Sequence, residues 1–437
     1  MDGLLGLYLV LIFIALIAFG VPIAISIGVS SIAILAMNMP FEVSVSTAGQ
    51  KMVNGIDSFS LLAIPLFVLA GNIMNHGGIA LRLVRFAYIF VGRIPGAVTH
   101  VNVVANMLFG AVSGSAVAAV AAVGKTLLPQ AKQNGMDLSF FTAANIASGP
   151  TGQIIPPSNG MIVYSVVSGG TSIGALFLAG YIPGILMGLA SMIVAAIYFK
   201  LHPEWAGKGF TVKFTFKEAM IVIFEAFPSL AMIIVVIGGI IGGLYTATEA
   251  ACSAVVYAFI LSCIYKQINL RVLKEIIKDT IEVSCLVLFL IGASTIMSYV
   301  LAYTQLPKII SESILGVTQS PVVILLIMNV ILLIVGMFMD LTPALLIFTP
   351  IFLPIAVQIG MDPIHFGIMI MFNLCVGITT PPVGAALFVG CSISGQSIEK
   401  VTKKLVPFFI AIIIALGLVT FIPELSLTIP RMAGLID

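Results

Sequence analysis

Charge is scarce in this chain: only 8% of its 437 residues are Asp, Glu, Lys or Arg, against roughly 25% in a soluble domain. Hydrophobic residues make up 60% and the mean hydropathy is +1.21, so most of the surface must face lipid. Net charge is only +2, which suggests neither nucleic acid nor an acidic partner. Histidine and cysteine are sparse as well. His76, His100, His202 and His365 are dispersed, and Cys252, Cys263, Cys285, Cys375 and Cys391 show no metal-ligand or CxxC spacing, which leaves metal chemistry without support. The cysteines read as small apolar fillers of helix interfaces. Ser-His-Asp, Cys-His, HExxH and phosphate-loop patterns are all missing. With no nucleotide-binding domain, ATP cannot power the protein directly. The N-terminus has no basic n-region or cleavage site, so its apolar run is read as a first membrane segment that the mature protein retains.

What is present in abundance is long apolar sequence. Runs of about 20 residues count as spanning candidates. They fall near 4–38, 59–80, 98–123, 138–168, 174–199, 219–244, 247–265, 280–302, 321–338, 341–358, 364–390 and 405–424. The longest polar stretch, about Lys200 to Glu218, is short enough to be a linker. The first run is too long for one span; Gly20-Val21-Pro22 either splits it into two passes or kinks it.

Two of these runs contain a double proline in matched settings. Gly152-Gln153-Ile154-Ile155-Pro156-Pro157 returns 225 positions later as Gly377-Ile378-Thr379-Thr380-Pro381-Pro382. A double proline removes backbone donors and clashes with the preceding turn, so a helix cannot continue through it. Freed backbone groups within a membrane are tolerated only where they face protein, a cavity or a ligand. At the same offset 15 of the 59 positions from Ser115 to Ile173 are identical, Pro129/Pro354, Gly135-Met136-Asp137/Gly360-Met361-Asp362 and Gly170/Gly395 among them. Upstream the offset slips by about two residues.

Charge placement orients the two copies. Lys and Arg gather at Arg82, Arg85 and Arg93; at Lys200, Lys208, Lys213 and Lys217; at Lys266, Arg271, Lys274 and Lys278; and at Lys400, Lys403 and Lys404. All four groups can be cytoplasmic, as positive charge favours, only if 98–136 and 321–358 each enter and return on one side, from opposite faces. Both are therefore expected to be re-entrant hairpins, with tips at 110–115 and 339–343, the first keeping Lys125 and Lys132 at its cytoplasmic base. The fold expected is an all-α polytopic membrane protein with an inverted-topology repeat, two re-entrant helical hairpins and two broken helices. Inversion favours two passes in the first run and an external N-terminus. Lys266–Lys278 is expected to be an amphipathic interfacial helix, with Arg82–Arg93 as its counterpart. Asp137 and Asp362 are expected to cap the helices that follow them.

The chemistry sits at the breaks and tips. Each break frees carbonyls and brings hydroxyl or amide oxygens; the tips add Ser113 and Ser115 in one copy, Asp340 and Thr342 in the other. Unwound carbonyls at half-helix ends suit Na⁺, and half-helix N-termini suit a carboxylate. Two Na⁺ sites are expected, with an anionic substrate between them near Ser148, Gln153, Pro156, Ser158, Asn159 and Pro381. Gly and Ser at such positions also serve close helix packing. Asp340, an ionisable group in an apolar region, is the sharpest single candidate. Glu249 can equally touch a ligand or serve to cap or pack a helix.

At this point a family resemblance emerges. Gly-Ala-Val-Ser-Gly-Ser-Ala-Val-Ala (110–118), Ile155-Pro156-Pro157-Ser158, Ala179-Gly180-Tyr181-Ile182-Pro183-Gly184, Tyr245-Thr246-Ala247-Thr248-Glu249-Ala250-Ala251 and Thr379-Thr380-Pro381-Pro382-Val383-Gly384 resemble the large membrane subunit of TRAP transporters, the tripartite ATP-independent periplasmic systems of DctM type. Ala247 departs from the family, which has proline there. The resemblance implies a bacterial inner-membrane, Na⁺-coupled, elevator-type importer of small carboxylates, with sialic acid ahead of C4-dicarboxylates. It implies a small membrane subunit of about four helices and a periplasmic substrate-binding protein as partners. By resemblance, one Na⁺ site draws on Ser113, Gly114, Ser115, Thr151 and Gly152, and the other on Asp340, Thr342, Gly377, Thr379 and Thr380. It divides the chain into scaffold parts at 1–97 and 174–320, transport halves at 98–173 and 321–400, and a C-terminal helix at 401–437. A stand-alone cation-coupled anion transporter or exchanger of the same architecture is the alternative; a membrane-embedded enzyme is disfavoured for want of a nucleophile–base or metal cluster.

Overall fold

A computed structural model describes residues 2–206 and 215–436; Lys208 and Lys213 of the basic groups lie outside them. Among the described residues all regular structure is helical, and seven helices are long and apolar enough to cross a membrane. The long first run is two helices, α1 (Asp2–Ala18) and α2 (Ile23–Asn38), packed on each other. Gly20, at φ +79°, and Pro22 make the turn between them. Next come α3 (Phe41–Ile56), α4 (Ala63–His76) and α5 (Ile79–Val91). The first repeated unit follows: α6 (Ala97–Ser113), α7 (Ala116–Gln133), α8 (Leu138–Ser148), the single turn α9 (Thr151–Ile154), α10 (Asn159–Val167) and the long α11 (Ile173–Leu201).

The second copy starts with α12 (Phe216–Ile241), α13 (Ala247–Ile264), α14 (Leu270–Tyr303) and α15 (Leu306–Val317). Its repeated unit is α16 (Pro321–Gly336), α17 (Leu341–Gln358), α18 (Pro363–Gly377), α19 (Ala385–Ser394) and α20 (Ile398–Phe421), with α21 (Glu424–Met432) closing the chain against α11. Adding 225 to the bounds of α7 gives those of α17, and 225 added to the start of α11 gives the start of α20. The sequence offset is thus a structural one.

One expectation is corrected. Lys266–Lys278 does not form a helix of its own, because Arg271, Lys274 and Lys278 occupy the first turns of the 34-residue α14. No Gly or Pro follows Lys278 until Gly292, so nothing interrupts the helical ladder. At 1.5 Å per residue α14 is about 50 Å long, well beyond a hydrocarbon core of about 30 Å, and its basic turns can lie outside the core. Nor does Arg82–Arg93 correspond to that stretch: in chain order α5 matches α15, while α3 and α4 together match α14.

The halves interlock reciprocally. Helix α7 packs on α19 and α17 on α10; α8 packs on α20 and α18 on α11; α2 packs on α14 and α4 on α13. Equivalent elements exchanging equivalent partners is what a two-fold relation between the copies produces. Tyr164 on α10 ties them at the centre. It is fully buried, and its hydroxyl donates to the Pro363 carbonyl at 2.5 Å. A side chain on Gly367 would stand 2.4 Å from its ring. Exposed Leu11, Ile14, Ile193, Ile197 and Ile234 form the apolar outside, as a lipid-facing surface requires.

Candidate functional site

Both hairpins end against the helix break of their own copy. In the first, α6 and α7 turn at Gly114, whose φ of +61° favours glycine. A Cβ on Gly114 would stand 3.3 Å from the Pro157 carbonyl oxygen and 3.7 Å from the Asn159 side-chain nitrogen. One turn back on α6, Gly110 meets Gly152 so closely that a Cβ on either would fall 2.2 or 2.1 Å from the other's Cα. The second copy repeats the contact: a Cβ on Gly377 would lie 2.4 Å from the Cα of Gly336. There the Val383 amide also donates to the Met337 carbonyl at 3.3 Å. Gly152 and Gly377 are glycines because two backbones cross at each, and the crossing places the tip beside the break.

The breaks leave oxygens in place. In the first, Ser158 Oγ donates to the Gln153 carbonyl at 2.5 Å and Thr151 Oγ1 to the Ser148 carbonyl at 2.6 Å. In the second, Thr379 Oγ1 and Thr380 Oγ1 both donate to the Val376 carbonyl, at 2.7 and 2.8 Å. A hydroxyl that has given its proton to a carbonyl turns only lone pairs to other neighbours, which suits a cation. The carbonyl oxygens of Ile378 and Thr380 also converge near Gly384, 3.3 and 2.9 Å from where its Cβ would be. Pro156–Pro157 and Pro381–Pro382 are both joined by cis peptide bonds.

The two breaks differ in cover. Ser113, Gly114, Thr151, Gly152, Pro156 and Ser158 are buried, and Ser115, Gln153 and Asn159 are half-buried. Gly377 and Thr379 are buried and Thr342, Thr380 and Pro381 half-buried, but Asp340, Pro382 and Val383 are exposed. Asp340 stands at the N-cap of α17 without making a cap hydrogen bond. Gln153 bridges the copies, its Oε1 accepting from Cys375 Sγ at 3.6 Å, and the Asn159 side-chain oxygen is buried with no protein partner.

Beneath each break lies a buried amide cluster. Asn106 Nδ2 donates to Ser148 Oγ at 2.8 Å and to Asn145 Oδ1 at 3.0 Å, and Asn102 donates to the same Asn145 oxygen. In the second copy Asn373 Nδ2 donates to Asn329 Oδ1 at 2.8 Å, and Asn329 reaches Thr420 Oγ1 at 3.4 Å. Each cluster ties the entering arm of a hairpin to the helix four residues before the crossing glycine. Ser148, expected near substrate, is fully buried and part of this tie. The signal was available: Asn106 and Asn329 are 223 apart, the offset that holds upstream after its two-residue slip.

Other expected residues find structural posts. Asp137 caps α8 through Ser139 and Phe140 amides at 3.0 and 3.1 Å, and Asp362 caps α18 at 2.7 and 3.3 Å. Asp137 also takes Lys404 Nζ at 2.9 Å and the Tyr198 hydroxyl at 2.8 Å. Burial pushes the Asp137 carboxyl up, but bonds from Lys404, Tyr198 and the Phe140 amide outweigh it and hold the group below the usual carboxylate range. Glu249 is exposed and forms a capping box with Thr246, accepting from its amide at 2.7 Å. Helix α13 starts at Ala247 without the family's proline.

Comparison with known proteins identifies the family and the fold. Residues 10–425 match the model of the family described as "Tripartite ATP-independent periplasmic transporter, DctM component". The chain is 50% identical to the uncharacterized protein YgiK of Salmonella typhimurium over 96% of each chain. It is 35% identical to the sialic acid TRAP transporter large permease protein SiaM of Vibrio cholerae, covering 94% of this chain and 95% of SiaM. It is likewise 35% identical to the C4-dicarboxylate TRAP transporter large permease protein DctM of Rhodobacter capsulatus, over 97% and 98%. Among solved structures the Alcanivorax borkumensis YdaH transporter shares the fold, with a TM-score of 0.59 at 13% identity over 86% of this chain and 88% of that one.

Proposed function

The chain belongs to the DctM family of tripartite ATP-independent periplasmic transporters, as a multi-pass large permease subunit of the bacterial inner membrane, and from that premise we propose that it imports a small carboxylate by Na⁺ coupling. Two Na⁺ ions would enter with substrate, one beside Ser113, Gly114, Ser115, Thr151 and Gly152, the other beside Asp340, Thr342, Gly377, Thr379 and Thr380. The observation that carries the reading is the doubled tip-on-break crossing, Gly110 on Gly152 and Gly336 on Gly377. Each crossing packs loosened backbone oxygens and proton-spent hydroxyls against a hairpin tip. Such groups suit a hard monovalent cation, and Asp340 adds a negative charge to one set. The substrate carboxylate would lie between the breaks, near the N-termini of α10 and α19, with Gln153, Asn159 and Pro381 at hand.

The reciprocal packing of α7 on α19 and of α10 on α17 supports movement of the two hairpin units as one body. Elevator transport against the remaining helices is the motion that follows. A periplasmic binding protein would deliver substrate, and a small membrane subunit of about four helices would brace the scaffold. Relatives named for sialic acid and for C4-dicarboxylates are equally similar, each 35% identical, so identity does not choose between them. An acidic sugar is our first choice, for the amide groups of Gln153 and Asn159 can bond its hydroxyls, and a C4-dicarboxylate is the second.

Proteoliposomes holding this chain and its small subunit test the reading. Radiolabelled sialic acid or succinate should accumulate only with both the cognate binding protein and an inward Na⁺ gradient. Accumulation that persists without the binding protein would turn the reading to a stand-alone transporter. Accumulation indifferent to Na⁺ would remove both ion sites.

A further inference from the structure

Away from the breaks, the groove between α5, α12 and the turn joining α13 to α14 has a volume of about 390 Å³ and is lined by Arg82, Arg85, Tyr265 and Glu225 together with Leu81 and Phe224. Arg82 is held in place: Nη1 donates to the Gly78 carbonyl at 2.9 Å, and the guanidinium lies 3.4 Å over the Tyr265 ring centroid. Stacking uses the face of a guanidinium, and one bond to Gly78 leaves it further edge donors for an oxyanion. Arg85 Nη1 is 3.6 Å from Glu225 Oε2, with side chains 56% and 45% exposed. Such a pair is weak and easily exchanged. The lining carries two positive charges and one negative, a net +1. Leu81 and Phe224 in the same groove are 47% and 68% exposed. Exposed apolar side chains next to arginines are the pairing that acyl chains and headgroups match at the surface of a membrane.

We propose that this groove is a binding site for an anionic phospholipid, its phosphate held by Arg82 and Arg85 and its first acyl carbons lying on Leu81 and Phe224. A free phosphate would engage the arginines and leave both apolar side chains uncovered, so the lipid accounts for the whole lining. The proposal rests on the membrane location of the family, not on the ion sites.

The test uses the delipidated complex of this chain with its small membrane subunit, titrated with phosphatidylglycerol or phosphatidylcholine of matched chains and read by native mass spectrometry and thermal melting. Phosphatidylglycerol should stay bound and raise the melting midpoint; phosphatidylcholine should not. Arg82→Gln/Arg85→Gln should weaken phosphatidylglycerol binding by about tenfold or more, as expected for two basic residues at a lipid surface. Glu225→Gln should strengthen it, because a like charge is lost and Arg85 is freed. A purely structural Arg85–Glu225 pair would lower the midpoint in both variants with lipid retention unchanged, and that result overturns the proposal. So does equal stabilisation by glycerol 3-phosphate, which would make the site one for soluble phosphates. Phosphatidylglycerol binding by the chain alone that vanishes in the complex would make the groove a subunit contact and also overturns it. If the double variant is not recovered, Glu225→Gln decides by the sign of its effect.

Discussion

At Gly152 a hydrogen atom is all the side chain the structure admits, since a Cβ would lie 2.1 Å from the Cα of Gly110, backbone against backbone. Backbone cannot yield as a side-chain tip can, so Gly152→Ala should cost about 3 kcal/mol, the upper end for overpacking, and abolish uptake by separating tip from break. Gly28, within α2 with nothing inside 4 Å of its would-be Cβ, is the control: Gly28→Ala should be neutral or stabilise by up to about 1 kcal/mol. Thermal melting and uptake of both variants, side by side, check this; a Gly152→Ala protein with normal melting and uptake would refute the crossing. Asp340 makes the opposite case. It is exposed and caps nothing, so Asp340→Asn should leave melting within a few degrees. Loss of a charged ligand, worth about 1.5–3 kcal/mol, should weaken apparent Na⁺ affinity about tenfold or more. An unchanged Na⁺ response in uptake would take Asp340 out of the ion site. Both residues stood out in the sequence, Gly152 by repetition and Asp340 by isolation. The reason for Gly152 did not, because a backbone crossing joins segments 42 residues apart.

At the scale of elements, the end of α8 is where charge is spent on structure. Asp137 caps α8, accepts from Tyr198 on α11 and pairs with Lys404 on α20, while the Phe140 and Tyr198 rings stack at 3.6 Å. Three helices are thereby joined around one carboxylate. Because the native Asp137 pKa is depressed, its stabilisation is present above the unfolded carboxylate pKa of about 4 and is lost as pH falls through the lower native value. Asp137→Asn should therefore lower the melting midpoint at pH 7 and converge with the parent protein below about pH 4. The loss should be about 1 kcal/mol, since Lys404 is partly open to solvent and screened. A deficit that stays constant across that range would show that the bonds, not the charge, matter. The cap itself was legible from Asp137 standing just before an apolar run. The partners were not: Tyr198 and Lys404 lie 61 and 267 positions away, and no local pattern selects them. Glu249 shows the reverse outcome: its capping box is wholly local, with Thr246 three residues before it, although the sequence left a ligand role equally open. The basic stretch at 266–278 misled because its charge pattern is that of an interfacial helix, whereas continuity is set by the absence of Gly or Pro after it.

Across the whole molecule the two copies are related but not equivalent. Packing is reciprocal from α2/α14 and α4/α13 through to α7/α19 and α17/α10, yet the first break and its tip are buried or half-buried while Asp340, Pro382 and Val383 are exposed. A repeat dictates where helices start, bend and stop, because those depend on Gly, Pro and capping residues that recur at fixed offset. It does not dictate side-chain cover, which depends on neighbours that differ between copies. The sequence by itself determined the all-helical membrane class, the duplicated unit and both breaks, which follow from composition and local backbone chemistry; it pointed to both hairpins through the placement of Lys and Arg, and to the family through the resemblance of its motifs. Only the tertiary structure decided that Gly110 and Gly336 are the partners of the breaks, that Ser148 belongs to a buried amide cluster, and that α14 runs unbroken beside α2, α3 and α4. Those depend on contacts between distant segments, which exist only once the chain has packed.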